Sequence, residues 1–254
     1  MMHLKESKQN NLDNFKKATD WEEISKRISY KVVNKKVLKT IDNPDDICYK
    51  EFFDLIRIPV ISEVSNDRKK LLSHTVTKSD LETFNKTYEE IMSIAEYNTS
   101  NSDNRRIRTL KEDAMAHEVM APIMQPMAQG VLGNKDANAF IMDSEEEHDN
   151  ILMVSNKYNM YGASYIMDKD TLETLYERLN SNFYIVPLSV HQLMCISSSY
   201  LHASKPSNEV EDDLLDMLFE INSKAKNTDD ILTYQIYEYF GDDGGLLFPI
   251  KKLL

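Results

Sequence analysis

Residues 183–197 read FYIVPLSVHQLMCIS, and the fold turns on whether this stretch is extended or helical. Its flanks are apolar, aromatic and β-branched, the residue types that suit a pleated, half-buried surface. Pro187 breaks any helical continuation. The reading is therefore a strand, FYIVP, a corner, LSV, and a second strand, HQLMCIS. In an extended chain rising ~3.3 Å per residue, His191 and Cys195 share a face but lie ~13 Å apart. One metal ion needs donors ~2.0–2.3 Å from its centre, so the pair does not form a metal site. In a helix the same two residues would be neighbours one turn apart.

Working outward, ILMVSN (151–156) and YGASYIM (161–167) read as two more strands joined by the polar turn NKYN. Asp168 or Asp170 caps a helix over TLETLYERLN. Another helix is expected from about Val210 to Ala225, with Leu214, Leu215, Leu218 and Ile221 on its inner face. A last helix, ILTYQIYEYF, is expected after a cap at Thr228 or Asp229, and GDDGG stops it. Toward the N-terminus, Phe15, Ala18, Trp21, Ile24 and Ile28 recur at helical spacing. FFDLIRIPVISEV (52–64) and LLSHTV (71–76) form a hairpin, Pro59 marking an edge or bulge. His74 falls on one face of the second strand as a structural histidine. Thr87 with Glu90 and Ser79 with Glu82 fit capping boxes, and NTSNSDNRR reads as a loop. The fold class expected is α+β: a mainly antiparallel sheet of about six strands with helices packed on it, preceded by an N-terminal helix. Residues 1–11 are expected as a frayed start and 12–254 as one domain, with two lobes, if present, dividing near 100–145.

The 254-residue chain is 41% hydrophobic with a net charge of −12, within the range of globular proteins. The start MMHLKESKQNN has no apolar signal-peptide core, and no apolar run approaches the ~20 residues a membrane span needs. Two cysteines, Cys48 and Cys195, are too few for a disulfide framework. A cytoplasmic protein is the expectation. Charge is uneven: residues 1–130 carry 21 basic and 21 acidic side chains, residues 131–254 carry 9 and 21. Such an acidic half disfavours direct nucleic acid binding and anionic membranes, which need Lys and Arg against phosphate. It suits a basic protein surface. Glu145, Glu146, Glu147, Asp212, Asp213, Asp242 and Asp243 are the candidate partner-binding residues.

Motifs for chemistry are sparse. There is no GxGxxG or Walker phosphate loop, and no cofactor or metal is expected. HEVMA (117–121) lacks the second histidine of HExxH, and NPDD (43–46) lacks a following E-x-K strand. DSEEEHD (143–149) reads as a solvated acidic loop. Ser189 and His191 share a strand face ~6.6 Å apart at Cα, which makes them candidates for a hydrolase pair. No GxSxG elbow accompanies them, and both also suit hydrogen bonds to the corner backbone. Met115, Met120, Met124 and Met127 would line an adaptable groove or pack as ordinary core.

The run YKVVN, FFDLIRIPVI, AEYNT, ILMVSN, YGAS and FYIVPLSVHQLM resembles an uncharacterised clostridial family common in gut Firmicutes and their mobile elements, over roughly residues 28–250. Asn156, Gly162, Ala163, Ser164, Pro187, Ser189 and His191 match its motifs, whereas Leu188 and Gln192 replace a serine and a glutamate. The resemblance implies one unit of organisation and no known activity. The function expected is a non-enzymatic interaction protein of a bacterium, phage or mobile element, acting through its acidic half on a basic partner, such as a nucleic-acid-binding host protein. A Ser189–His191 hydrolase and a small-molecule sensor with the methionine groove are the alternatives.

Overall fold

The computed structural model describes residues 20–41, 43–64, 71–110, 112–113, 149–203, 205–241 and 244–250. Its contacts define two compact units, the first ending at Asp103 and the second beginning at Asn104. Both are α+β and every strand pairing is antiparallel. The strands divide between a four-stranded and a six-stranded sheet. The methionine cluster, Glu145 to Glu147, Asp242, Asp243, HEVMA and residues 1–11 lie outside the described residues.

In the first unit, helix α1 (Trp21–Ser25) is capped by Asp20, whose carboxylate accepts from the Glu22 N–H. The helical spacing extends through Ile28, but Ile28 instead opens strand β1 (Ile28–Asn34). Asn98 makes that break possible, its amide donating to the carbonyls of Ser25 and Ile28 at 2.8 Å each. FFDLIRIPVISEV is not one strand. Strands β2 (Lys50–Phe52) and β3 (Leu55–Val64) are separated by a two-residue reversal with Phe53 at φ 54°. Strand β4 (Leu71–Thr75) completes the expected hairpin with β3. Pro59 lies in β3, the central strand, and not at an edge. It is tolerated because β2 pairs only as far as Arg57 and β4 only from Val60, leaving a gap in the ladder where the missing N–H has no partner to lose.

Helix α2 (Lys78–Phe84) starts two residues earlier than Ser79 and Glu82 suggest. Thr77 and Asp80 form the capping box, and Asp80 also accepts from His74 Nε2 at 2.8 Å. His74 is thus structural. Burial raises the Asp80 carboxyl, but the His74 and Thr77 hydrogen bonds outweigh it and hold the carboxyl below its ordinary range. Helix α3 (Tyr88–Ser100) begins at the expected Thr87–Glu90 box and runs through Asn98 and Thr99, which read as loop. Its buried Ile91, Met92 and Ala95 cover the sheet. Thr87→Ala, which removes one half of that box, is expected to cost the first unit about 1 kcal/mol, read by denaturant unfolding.

The second unit is built on the sheet order β10-β9-β7-β8-β6-β5. These strands are β5 (Arg105–Thr109), β6 (Ile151–Asn156), β7 (Phe183–Ser189), β8 (Gln192–Ser197), β9 (Ile236–Phe240) and β10 (Leu246–Ile250). Helices α4 (Lys169–Leu179), α5 (Ser198–His202) and α6 (Ser207–Ser223) complete the unit. Both faces of the sheet are covered. Ile151, Met153, Tyr184, Val186, Met194, Ile196 and Ile236 pack with Leu214 and Leu218 of α6. The alternate residues, Leu152, Val154, Ile185, Leu193 and Cys195, are buried on the other side. There Tyr176 of α4 meets Tyr239, which also packs on Phe183 with ring centres 5.0 Å apart. Double coverage explains why FYIVP is apolar throughout.

It also explains one departure from the sequence reading. ILTYQIYEYF is not a helix: Ile236 faces α6 while Tyr237 and Tyr239 are buried opposite, and its second half, Ile236–Phe240, is β9. An apolar run buried on two faces does not reveal its period. Gly244 and Gly245, at φ 82° and 80°, turn it into β10 and do not end a helix. YGASYIM is not a strand but a 3₁₀ segment, Gly162–Met167, buried from Gly162 to Ile166. Strand β5 is highly charged, RRIRT, which hid it as loop. No described helix is long and apolar enough to cross a membrane.

Candidate functional site

Ser189 and His191 lie with Ser155, Tyr161 and Gly162 at one corner of the six-stranded sheet. Strand β7 carries an irregularity between Pro187 and Ser189: Pro187 pairs with Leu193 and Ser189 with Gln192, so Leu188 is the extra residue. Val190 and His191 form the reversal, so His191 sits in the turn and not in the strand where spacing put it. Pro187 lies beyond Ile185↔Tyr237, the last β7–β9 pair, and needs no donor on that side.

The turn is tied to three elements. Val190 N–H donates to the Asp230 carbonyl at 2.8 Å, and Val190's carbonyl accepts from Ala163 N–H at 3.3 Å. The His191 carbonyl accepts from Ser155 Oγ at 2.8 Å. Ser189 Oγ accepts from the His191 backbone N–H at 3.0 Å. On the ring, Nδ1 accepts from Tyr161 N–H at 3.1 Å. The proton of the neutral imidazole therefore resides on Nε2, which lies 3.5 Å from Asp230 Oδ1. A hydrolytic triad needs one ring nitrogen on the nucleophile and the other on the orienting carboxylate. Here the two nitrogens face a backbone amide and Asp230, and the Ser189 hydroxyl serves the turn backbone.

Asn156 shapes the segment facing the imidazole. Its side-chain carbonyl accepts from Tyr158 N–H (3.0 Å) and Met160 N–H (3.2 Å), and its amide donates to the Met160 carbonyl. Asn159 and Tyr161 then adopt left-handed backbone, φ 51° and 56°, and Gly162 passes against Ser155 and the His191 carbonyl. Gln192, where the resemblance expects glutamate, donates to the buried Asp113 carboxylate at 3.0 Å. Cys195 is fully buried, and burial pushes its thiol far above the ordinary range, which makes it a poor nucleophile.

A second polar group lies on the α6 side of the sheet. Tyr184 and Glu238 are direct cross-strand partners on β7 and β9. The Tyr184 hydroxyl meets His202 Nε2 at 3.1 Å, and Ser198 Oγ donates to Glu238 at 3.3 Å. Burial raises the Glu238 carboxyl; the Ser198 bond opposes this and the charge of Glu211 adds to it. Along α6, Asp213 is paired with Lys205 at 2.5 Å, while Asp212 is exposed. Glu209, Glu211, Asp212 and Glu238 form no ion pair among the described residues. Sequence reasoning found Asp212 and Asp213 but missed Glu211 and Glu238. The i spacing of the helix places Glu211 legibly, whereas Glu238 lay in a segment read as helix.

Among the described residues no three His, Cys, Asp or Glu side chains could hold a metal ion together. The model of a family of unknown function, DUF5688, matches residues 1–240. No curated protein and no solved structure matches the chain.

Proposed function

Since the chain belongs to DUF5688, a family of unknown function, we propose from its own chemistry that it is a binding protein, with α6 and the neighbouring end of β9 as the surface for a basic protein partner. The observation that carries this reading is the set of carboxylates Glu209, Glu211, Asp212 and Glu238, which have no cationic partner among the described residues. Glu238 is half-buried and already disfavoured as an anion by burial and by Glu211. A lysine or arginine from a partner would relieve both penalties at once. The corner chemistry agrees with a binder, because Ser189 and His191 are occupied with backbone hydrogen bonds. The clostridial resemblance favours a cytoplasmic setting in a bacterium, its phage or a mobile element. A nucleic-acid-binding host protein is the basic partner that best fits carboxylates standing where phosphates would.

The double variant Glu209→Lys/Asp212→Lys changes two exposed side chains and leaves the core untouched. It is expected to weaken a partner captured from the native host by about tenfold or more, roughly 1.4 kcal/mol, and wild-type capture is expected to fail at molar salt, where the screening length is about 3 Å. Capture that survives both the charge reversal and molar salt overturns the assignment.

A further inference from the structure

We propose that His191 is a proton-operated latch on the segment Lys157–Tyr161: the neutral ring holds the Tyr161 amide, and the protonated ring releases it and pairs with Asp230. The geometry makes the two states exclusive. Nδ1 accepts from Tyr161 N–H at 3.1 Å, which requires a lone pair on that nitrogen. Histidine side chains in general change charge between about pH 5 and 8. Protonation places a hydrogen on Nδ1, so two N–H groups would face each other and the bond is lost. The other ring nitrogen is 3.5 Å from Asp230 Oδ1, too long for a strong hydrogen bond but within reach of a small ring rotation that forms a charged pair.

The segment is poised to respond. Tyr161 has φ 56°, a left-handed conformation that is unfavourable for a non-glycine residue. The ring bond and the Asn156 contacts to Tyr158 and Met160 hold the turn against that tendency. Lys157 and Asn159 are exposed, while Lys157 N–H to the Asn104 carbonyl and Ser164 N–H to the Tyr161 carbonyl anchor the ends of the segment, so the change centres on the Tyr161 amide. Among the described residues, the following groups face the imidazole. Asp230 comes from the 3₁₀ turn Thr228–Asp230. The Tyr161 ring lies with its centre 5.7 Å away. From β6 the neutral Ser155 hydroxyl donates to the His191 carbonyl. Beyond them, Asp113 is engaged by Gln192 and the Lys157 ammonium sits over the Tyr158 ring. Asp230 is thus the acceptor for the released ring.

The test is amide hydrogen exchange and NMR on the whole chain from pH 8 to pH 5, with exchange rates corrected for their intrinsic pH dependence. Tyr161 is expected to lose protection about tenfold, the scale of one hydrogen bond, with the same midpoint as the His191 ring resonances. Val190 N–H, which donates to the Asp230 backbone, serves as an internal control and stays protected. Asp230→Asn is expected to move the midpoint to lower pH, and His191→Gln to abolish the pH dependence. Constant Tyr161 protection across a range in which the ring titrates overturns the latch. So does a ring that does not titrate there, or a response that persists in His191→Gln.

Discussion

Gly162→Ala is expected to destabilise the second unit by about 3 kcal/mol. A Cβ at this position would stand 2.5 Å from the His191 carbonyl oxygen and 2.6 Å from Ser155 Cα, well inside contact distance. Neither neighbour is a side chain that can swing aside. Ser155 is in β6, paired to Arg106, and the His191 carbonyl belongs to the turn tied to Ser155, Ala163 and Asp230. Overpacking that forces backbone to move costs about 1–3 kcal/mol or more, and here the Ser155–His191 bond is lost as well. Differential scanning calorimetry should show the transition of the second unit falling by about 6–12 °C. Gly244→Ala is the informative contrast. Its φ of 82° is one that Gly162 does not have, but a Cβ there would have nothing within 4 Å, so only the backbone cost of about 1 kcal/mol applies. Equal effects at the two glycines would refute the close-packed corner.

The second large effect is expected at Asp168. Its carboxylate is buried, accepts from the Thr171 amide at 3.1 Å and from the Thr171 hydroxyl, and lies 3.6 Å from Arg105 Nη1. It is at once the N-cap of α4 and the counter-ion of an edge strand. Asp168→Ala leaves the Thr171 amide without its cap and the Arg105 guanidinium without its charge partner. Removing one member of a fully buried pair costs about 3–5 kcal/mol, but the Arg105 side chain keeps 27% exposure and can be solvated; with loss of the cap, about 1 kcal/mol, a total of about 2–3 kcal/mol is expected from urea unfolding. Asp168→Asn, which keeps an acceptor and loses the charge, should fall in between. A loss below about 1 kcal/mol in the alanine variant would mean that the pair is solvated.

Legibility followed how local the physics was. The β7–β8 hairpin, the Thr87 capping box and the Asp168 cap were readable because a few adjacent residues determine each. Strand β9 was misread because burial on both faces erased its alternation, and β5 was missed because an edge strand tolerates arginines. The Gly162 segment was misread because its conformation comes from contact with Ser155 and the His191 carbonyl. At the candidate site, Ser189 and His191 were conspicuous by residue type. Their partners were not: Tyr161 contributes a backbone amide, which every residue but proline possesses, and Asp230 arrives from a distant turn with no periodic mark. On α6, Asp212 and Asp213 were equally visible, yet Asp213 is the one that Lys205 pairs with at 2.5 Å, a distinction set by tertiary placement.

The two cysteines fall one to each unit. Cys48, 7% exposed, belongs to the first, and Cys195, 0% exposed in the central strand β8, to the second. Each thiol is hidden from an alkylating reagent until its own surroundings open. Mass spectrometry of time-quenched labelling would therefore clock the opening of each half separately in the unmodified molecule, without engineered probes.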